Sequence, residues 1–270
     1  MRRRNAAAWC LGEGVPRPAA GQSMPDTGAA SPETAYTAQQ FLDNYPLGME
    51  HHWWSRARAD VVRHALCNFR GATVLDVGCG PGIIVQHLRA CDFSCFGCEL
   101  GHPDVLPAVR DQVWTGQDAA ALDLAFREGV GVILLLDVLE HLPDPVAFLR
   151  GLLPAFPHLQ AVVITVPARQ ELWSAWDEHF GHHRRYDRRS LHDLCTKAGL
   201  SPVVLRYFFH AIYPALLAVA RLASRSVRVT SRRPRSPLDS LLARFFAWEA
   251  RLPIGRISGS SLIAVAVPGR

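Results

Sequence analysis

The residues of this sequence best suited to chemistry form a glycine-rich turn with acidic residues around it. Asp76-Val77-Gly78-Cys79-Gly80-Pro81-Gly82 follows the β-branched run 73–77, and Glu99 ends the next predicted strand. Glycines tolerate positive φ and let backbone N–H groups approach a ligand, and the helix N-terminus behind them favours a negative group. A carboxylate after the next strand can accept hydrogen bonds from both ribose hydroxyls. The turn therefore predicts a site for a nucleoside-containing ligand.

Two other groups of residues combine carboxylates with imidazoles. Asp137, Glu140 and His141 follow a continuous apolar run, and His179–Tyr186 reads HFGHHRRY. Because open α/β sheets bind ligands beyond the carboxyl ends of their strands, His141 is a candidate general base. An alternative stays open, in which His141 packs against the ligand or caps the turn at Asp144.

The spacing of the glycines argues against a dinucleotide cofactor. In the fingerprint G-x-G-x-x-G the third glycine would fall at position 83, which is occupied by Ile83. The chain reads D-x-G-x-G-x-G instead. A dehydrogenase is therefore disfavoured.

Alternating strands and helices must position these residues. Asp144 and Pro145 are suited to start a helix as N-cap and first residue. Ser190 and Asp193 resemble a capping box, and Gly199 fits the end of that helix. Strands that alternate with helices favour a parallel, doubly wound α/β sheet. The predicted strands include 73–77, 93–98, 131–136, 161–166, 202–208 and 261–267.

Changes in composition divide the chain into five parts. The first is rich in Ala, Gly, Pro and Ser, which predicts a disordered extension, and Met24 is an alternative start. The predicted parts are the extension 1–35, a helical cap 36–70, an α/β core 71–205, an apolar and basic helical insertion 206–259, and the last core strand and tail 260–270.

The overall composition excludes several classes of protein. The 270 residues are 49% hydrophobic and 20% charged, which excludes global disorder and low-complexity architecture. No uncharged apolar window reaches roughly 18 residues, and the apolar stretch after Arg4 is too short for a signal peptide. The odd number of cysteines, seven, favours reduced thiols in the cytoplasm. Cys91, Cys95 and Cys98 are interpreted as small buried residues rather than zinc ligands.

Basic and apolar residues concentrate towards the C-terminus. Residues 201–238 contain seven arginines and no acidic residue, in a chain whose net charge is +5. Apolar residues at helical spacing occupy 207–223 and 238–252. Two interpretations stay open: a helical lid packed on the core, or a peripheral membrane surface within 207–252 that binds anionic lipid.

The glycine turn resembles motif I of the class I S-adenosylmethionine (SAM)-dependent methyltransferases. Further stretches look like the small-molecule subgroup, which includes the type 11, type 23 and ubiquinone-biosynthesis methyltransferases. They are Glu50–Arg58, Gln117-Asp118, Asp137–Pro145 and His179–Leu191. The resemblance covers about residues 50–205 and 260–268, and the order of the motifs identifies the chain as a member of this superfamily.

The resemblance implies a Rossmann-like, doubly wound α/β fold with helices on both faces. Its sheet would have seven strands, mostly parallel with an antiparallel last strand, and 206–259 would be an insertion before that strand. Asp76 would face the ammonium group of SAM, Glu99 the ribose and Asp118 the adenine. The implied SAM-binding residues are Asp76, Gly78, Gly80, Gly82, Glu99, Asp118 and Asp137.

We therefore expect in-line transfer of a methyl group from SAM to a small or lipid-like acceptor. Much of the catalysis would be positioning and exclusion of water. The catalytic candidates are His141, His182 and Tyr186, and the acceptor-binding candidates are Trp53, Arg184 and Arg185. The two arginines would clamp a carboxylate or phosphate, unless the loop that carries them is solvated and tied down by ion pairs.

Metal binding is considered but not predicted. Asp137, Glu140 and His141 resemble the metal-binding set of the quinone-biosynthesis O-methyltransferases, where an ion would acidify a catechol hydroxyl. His179 and His183 would form a ligand pair only on a helix, which Gly181 disfavours.

Two other functions stay open. The first is a SAM- or lipid-binding protein without catalysis. The second is a nucleic-acid methyltransferase, which is disfavoured because amino-methylating enzymes of that kind show (D/N)-P-P-(Y/F) where this chain has Asp137-Val138-Leu139-Glu140. No RNA-binding module is recognisable either. The sequence identifies neither the acceptor nor whether oxygen, nitrogen or carbon is methylated.

Overall fold

The structure, a computed structural model, describes residues 36–222 and 236–269. The predicted disorder of 1–35 and five of the arginines of the basic segment, within 223–235, lie outside the described residues.

Seven strands form one mixed sheet in the order β3-β2-β1-β4-β5-β7-β6. The first five run parallel, whereas β7 is antiparallel to both β5 and β6. The predicted fold class is confirmed. The strands are β1 Thr73–Val77, β2 Cys95–Glu99, β3 Val113–Thr115, β4 Val130–Leu136, β5 Ala161–Pro167, β6 Leu200–Phe208 and β7 Ser261–Pro268.

Helices cover both faces of the sheet. The central strand β4 is buried along its whole length, and its alternate side chains enter two separate apolar clusters. Ile133 and Leu135 face one cluster, and Val132 and Leu134 face the other, as the twofold period of a strand requires. The helices are α1 Ala38–Asn44, α2 Trp53–Ala65, α3 Ile83–Arg89, α4 Leu124–Gly129, α5 Pro145–Leu152, α6 Ala175–His179, α7 Arg188–Lys197, α8 Tyr213–Leu222 and α9 Pro237–Glu249.

The helix-start predictions have different outcomes. Asp144 caps α5 through hydrogen bonds from the amides of Val146 and Ala147, as predicted. The predicted capping box of Ser190 with Asp193 is wrong. Asp187 is the N-cap of α7 and accepts from the amide of Ser190, which places Ser190 at the third helical position. The glycine that follows α7, Gly199, adopts the expected positive φ of 82°.

The segment between β6 and β7 carries two helices of different character. Helix α9 packs against α2, and the side chain of Asp239 accepts a hydrogen bond from the amide of Trp53. In helix α8, in contrast, none of the residues 213–221, whose burial the structure describes, is buried. No helix within the described ranges is both long enough and apolar enough to cross a membrane.

Candidate active site

The glycine-rich turn joins β1 to α3 with positive φ at all three glycines. The φ angles are 77° at Gly78, 53° at Gly80 and 85° at Gly82. A Cβ atom at Gly78 would lie 2.8 Å from Val138 Cγ2, and one at Gly80 would lie 2.7 Å from Tyr45 Cζ. The turn therefore needs glycine for both its conformation and its close contacts. Gly82 is the residue before α3, in a left-handed conformation.

Glu99 links the second strand to this turn. One carboxylate oxygen accepts from the amide of Gly80 and the other from the amide of Gly101, both at 3.0 Å. An ionised carboxylate has about four acceptor positions, so the side chain keeps capacity for further donors. Glu99 can therefore accept hydrogen bonds from ribose hydroxyls while it still accepts from the amide of Gly80 in the turn.

Asp76 is the buried acid of β1. Its side chain is 2% exposed, and its Oδ1 atom has no hydrogen-bond partner among the described residues. Burial raises the pKa of this carboxyl to about 7, opposed by Arg58 and reinforced by Glu99. A buried carboxyl with an unpaired oxygen fits a cationic group, because the cation supplies the missing partner. The ammonium group of SAM is such a cation.

Asp137 follows β4 in a strained conformation with φ of 56°. Arg58 Nη2 lies 2.9 Å from its Oδ2 atom, and the Thr165 hydroxyl donates to its Oδ1 atom at 3.1 Å. The guanidinium of Arg58 also lies over the ring of Trp54, 5.2 Å from its centroid. Arg58 was not predicted as a site residue, although it lies in Glu50–Arg58, one of the stretches that resemble the small-molecule methyltransferases.

One cavity of about 330 Å³ brings these groups together at the carboxyl ends of β1, β2 and β4. This volume is typical of small-molecule sites. Seven of the predicted site residues line it: Asp76, Gly78, Glu99, Asp137, His141, His182 and Arg185. Six others do not: Trp53, Gly80, Gly82, Asp118, Arg184 and Tyr186.

Aromatic residues near α1 cover the cavity, which the sequence did not predict. Tyr45 lies on the backbone of Gly80, and Phe41 lies where a Cβ of Gly101 would be. Tyr36 reaches deeper, with its hydroxyl 3.0 Å from His141 Nε2. No apolar period marks these residues, since α1 is only seven residues long. Their role follows only from the fold, which lays α1 across the turn.

Both ring nitrogens of His141 have partners. Nδ1 lies 3.0 Å from the carbonyl oxygen of Phe180, which can only accept, so Nδ1 carries the hydrogen. Nε2 then accepts from the Tyr36 hydroxyl. Burial, together with the nearby His182, lowers the pKa of His141 to about 4. In this arrangement His141 has no free lone pair with which to take a proton.

Arg185 lines the cavity, but its guanidinium is bound to protein groups. Nε and Nη2 donate to the two carboxylate oxygens of Asp177 at 2.8 and 3.0 Å, and Nη1 donates to the Ala168 carbonyl. The Asp177 side chain is fully buried. The expectation that Arg185 clamps an acceptor anion is therefore replaced by a structural ion pair.

Arg184 and Tyr186 also differ from their predicted roles. Arg184 Nη2 donates to the carbonyls of Leu142 and Pro143, which fixes the loop after β4. The Tyr186 hydroxyl donates to the Leu139 carbonyl at 3.1 Å, and the side chain is buried. Neither side chain lines the cavity, and the roles predicted for them at the acceptor stay predictions.

Trp53 and Asp118 have contacts of their own. The Trp53 ring stacks on Phe246 with centroids 4.7 Å apart, which joins α2 to α9, while Trp54 lines the cavity instead. Asp118 accepts from the Ala120 amide as the cap of a short turn. The predicted acceptor contact of Trp53 is therefore replaced by a packing contact.

The histidines after β5 do not form the considered ligand pair. His179 ends α6 and lies 3.0 Å from Asp43 of α1, whereas His183 lies beyond Gly181. A different set does converge: one potential ligand atom each of Glu140, His141 and His182 lies within 4.8 Å of the others. Asp137 is not in this set, since Arg58 and Thr165 bind its carboxylate.

Glu140 is fully buried, and neither carboxylate oxygen has a hydrogen-bond partner among the described residues. Burial and the nearby Asp137 raise the pKa of Glu140 well above its usual range. Burial therefore favours the neutral form of this side chain over the charged form.

The fold and the cavity together define a class I SAM-dependent methyltransferase domain. The strand order, the glycine turn after β1 and the acid after β2 carry this conclusion, and the Oδ1 atom of Asp76, which has no partner among the described residues, fits the cofactor.

Comparison with known proteins identifies the family. A family model described as a methyltransferase domain matches residues 49–205, which is more than half of the chain. The chain therefore belongs to this methyltransferase-domain family.

Curated relatives match a shorter part of the chain. The ubiquinone biosynthesis O-methyltransferases of Pseudomonas fluorescens (strain SBW25) and Pseudomonas entomophila (strain L48) are 28% and 29% identical to it. Each match covers 38% of this chain and 52% of the relative, so the chain spans about half the length of these relatives.

A solved structure supports the fold over most of the chain. A chain in the solved complex between the Haloferax volcanii Trm112 methyltransferase activator and the putative methyltransferase matches with a TM-score of 0.53 and 19% identity. The match covers 87% of this chain and 98% of that one.

Proposed function

We propose that the protein transfers a methyl group from SAM to an oxygen atom of a small or lipid-like acceptor. One observation carries the proposal: a single cavity has carboxylates at one end and imidazoles at the other. Asp76 and Glu99 suit the ammonium and ribose of the cofactor, and His182 suits an acceptor that must lose a proton. The names of the Pseudomonas relatives support oxygen as the methylated atom.

In this proposal the chain binds, orients and shields the reactants. SAM, when bound, supplies an electrophilic methyl group whose transfer leaves a neutral thioether. Asp76 pairs with the ammonium, Glu99 accepts from the ribose, and Gly78 and Gly80 let the turn approach. Asp118 keeps a second carboxylate oxygen for the adenine, and Arg58 holds Asp137 beside the cofactor. The aromatic cover near α1 excludes water from the reacting atoms.

A methyl-transfer assay with three acceptor pools tests the proposal. Purified protein is incubated with SAM labelled in the methyl group and with a lipid extract, an aqueous metabolite pool or total RNA. We expect label in the lipid or metabolite pool and equimolar release of S-adenosylhomocysteine. Label in RNA alone would favour the nucleic-acid alternative, and binding of SAM without any transfer would favour a non-catalytic protein. Asp76→Asn is the control for cofactor-independent labelling.

We also propose that the segment between β6 and β7 docks on an anionic lipid surface. This proposal treats 36–70 as a cap on the core 71–205, and 206–259 as an insertion that meets the membrane. Helix α8 is almost wholly apolar, and none of its residues 213–221, whose burial the structure describes, is buried, although an apolar helix normally requires a covered face. Its Leu216 lines the cavity, so a lipid-linked acceptor could enter beside it.

Charge and a second apolar stripe support the lipid surface. Five arginines and no acid lie in 223–235, directly between α8 and α9. Each basic residue near an anionic membrane contributes about 1 kcal/mol to binding. Helix α9 presents exposed apolar side chains at helical spacing: Leu238, Leu241, Leu242, Phe245 and Trp248.

Sedimentation with vesicles tests this second proposal. We expect binding to vesicles that contain phosphatidylglycerol, weakened by high salt, and little binding to neutral phosphatidylcholine vesicles. Phe245→Ser together with Trp248→Ser should reduce the bound fraction. Leu124→Ser, which changes an exposed leucine on α4, should leave it unchanged. Equal binding to both kinds of vesicle, or none to either, would contradict the proposal.

A further inference from the structure

The acceptor end of the cavity contains two imidazoles, and only one of them has a free ring nitrogen. The rings of His141 and His182 meet edge to face with centroids 4.6 Å apart. Tyr36 and Phe180 occupy both nitrogens of His141. His182 has one side-chain partner, Asp177, at 2.8 Å from Nδ1, and its Nε2 atom has no hydrogen bond to any described residue. His182 is therefore the imidazole that can take a proton.

Asp177 fixes which nitrogen of His182 carries the hydrogen. Burial alone would raise the pKa of Asp177, but the hydrogen bonds from His182 and Arg185 outweigh it and hold the pKa at about 2. The carboxylate is therefore ionised and can only accept. Nδ1 of His182 must donate to it, which leaves the lone pair on Nε2.

The position of Asp177 is itself fixed by several donors. Arg185 Nε shares Oδ1 with His182, while Arg185 Nη2 and the Ser174 amide and hydroxyl donate to Oδ2. Asp177 is the third residue of α6 and forms a capping box with Ser174. The Asp177 carboxylate is thus held by Ser174 at the N-terminus of α6 and by the guanidinium of Arg185, which also donates to the Ala168 carbonyl. The carboxylate has little freedom to turn away from His182.

We propose that Asp177 is a positioning residue that holds His182 in the Nδ1–H form, with Nε2 ready to accept the acceptor proton. The inference rests on the proposed methyl transfer. The proton of the acceptor hydroxyl moves to Nε2, and the resulting imidazolium pairs with the Asp177 carboxylate. The acceptor oxygen keeps the electron pair of its O–H bond and uses it to form the new bond to the methyl carbon. The carbon–sulfur bonding pair stays on sulfur.

This arrangement assigns Arg185 a purpose other than acceptor binding. Its bidentate contact keeps Asp177 ionised and oriented, so that Arg185 acts on the acceptor only through Asp177 and His182.

Nitrogen-15 NMR of the histidine side chains in the full chain tests the inference. Loss of one signal in His182→Gln identifies His182 among the 12 histidines. A hydrogen bond to a charged partner is worth about 1 kcal/mol more than one to a neutral partner. We therefore expect the Nδ1–H form of His182 to exceed the Nε2–H form by at least about fivefold. In Asp177→Asn that ratio should fall by about fivefold.

Glu178→Gln is the matched control, because it makes the same chemical change one residue further along α6 at an exposed site. It should leave the His182 ratio unchanged. An even mixture or an Nε2–H form in the unmodified chain would overturn the inference, whether or not the Asp177 variant folds. An unchanged ratio in Asp177→Asn would overturn it as well.

Calorimetry with S-adenosylhomocysteine on the same samples separates this inference from the proposed function. Absence of binding by the unmodified chain would overturn the proposed function, and with it the role of His182 as proton acceptor. Binding together with the wrong His182 form would leave the proposed function standing and overturn the role of Asp177.

Discussion

The two ends of the cavity are built by different means. At the cofactor end, neighbouring parallel strands bring carboxylates together, and backbone amides of the glycine turn hold Glu99. At the acceptor end, His141 and His182 lie on connections outside the sheet. The Tyr36 hydroxyl donates to His141, and the Asp177 carboxylate accepts from His182, and these two hydrogen bonds position the rings. The cofactor end is therefore built from strand ends and a backbone amide, whereas the acceptor end depends on individual side chains. Substitutions at the cofactor end should therefore lower the affinity for the cofactor, whereas substitutions at the acceptor end should lower turnover.

The largest effect is expected at the acceptor end. His182→Gln removes the nitrogen that takes the proton, and general bases contribute about 10²–10⁴-fold to rates. Turnover, followed as S-adenosylhomocysteine release with the acceptor found in the pool assay, should fall by that amount. The affinity for S-adenosylhomocysteine should stay within about twofold, because the cofactor contacts lie at the other end. A loss of cofactor affinity equal to the loss of turnover would contradict the separation of the two ends.

Glu99→Gln should weaken cofactor binding by about 10- to 100-fold, because hydrogen bonds to a charged group contribute about 1.5–3 kcal/mol. The effect should be the same for methylthioadenosine, which keeps the ribose but lacks the amino-acid part. Calorimetry with both ligands makes the comparison. Equal affinities for the variant and the unmodified chain would remove Glu99 from the ribose site.

Cofactor affinity should depend on pH through Asp76. Since its pKa in the fold is about 7, its carboxyl is neutral at lower pH and gains the charge that pairs with an ammonium as the pH rises. The Kd of S-adenosylhomocysteine should fall by about tenfold between about pH 5.5 and 6.5, and methylthioadenosine should show no such change. The unliganded fold should lose stability from about pH 4 to pH 7, since only the unfolded chain then ionises this group. Asp76→Asn should abolish both trends.

The smallest effect concerns the start of α7. Asp187→Ala removes the N-cap and should lower the free energy of unfolding by about 0.5–2 kcal/mol. Asp193→Ala, at an exposed position within the helix, should change it by less than about 0.5 kcal/mol. Denaturant titration measures both. The reverse order would restore the capping box first predicted from the sequence.

The difference between the two ends also explains how far the sequence could predict the site. Asp76 and Glu99 are recognisable because a strand, a glycine turn and a following strand are local patterns, and the parallel sheet places their ends side by side. The same reasoning gave the alternation of strands with helices and the buried run of β4. These predictions needed no knowledge of side-chain partners.

The acceptor end could not be predicted in the same way. Arg184 bonds the loop around Leu142, some forty residues away in the chain, and Trp53 packs on Phe246 of α9. Arg185 was predicted to bind an anion, and it does bind one, but the anion is Asp177 of the protein. The sequence shows which residues can make an ion pair, and only the fold shows which partner each one finds.

The most direct test of the account is calorimetric titration of the chain with SAM and S-adenosylhomocysteine, beside Asp76→Asn and an NADH control. The cavity predicts micromolar binding of both cofactor forms, loss of most of that affinity in Asp76→Asn, and no binding of NADH. No binding of SAM by the folded chain, or equal binding by Asp76→Asn, would contradict the assignment of the cavity as a SAM site held by Asp76.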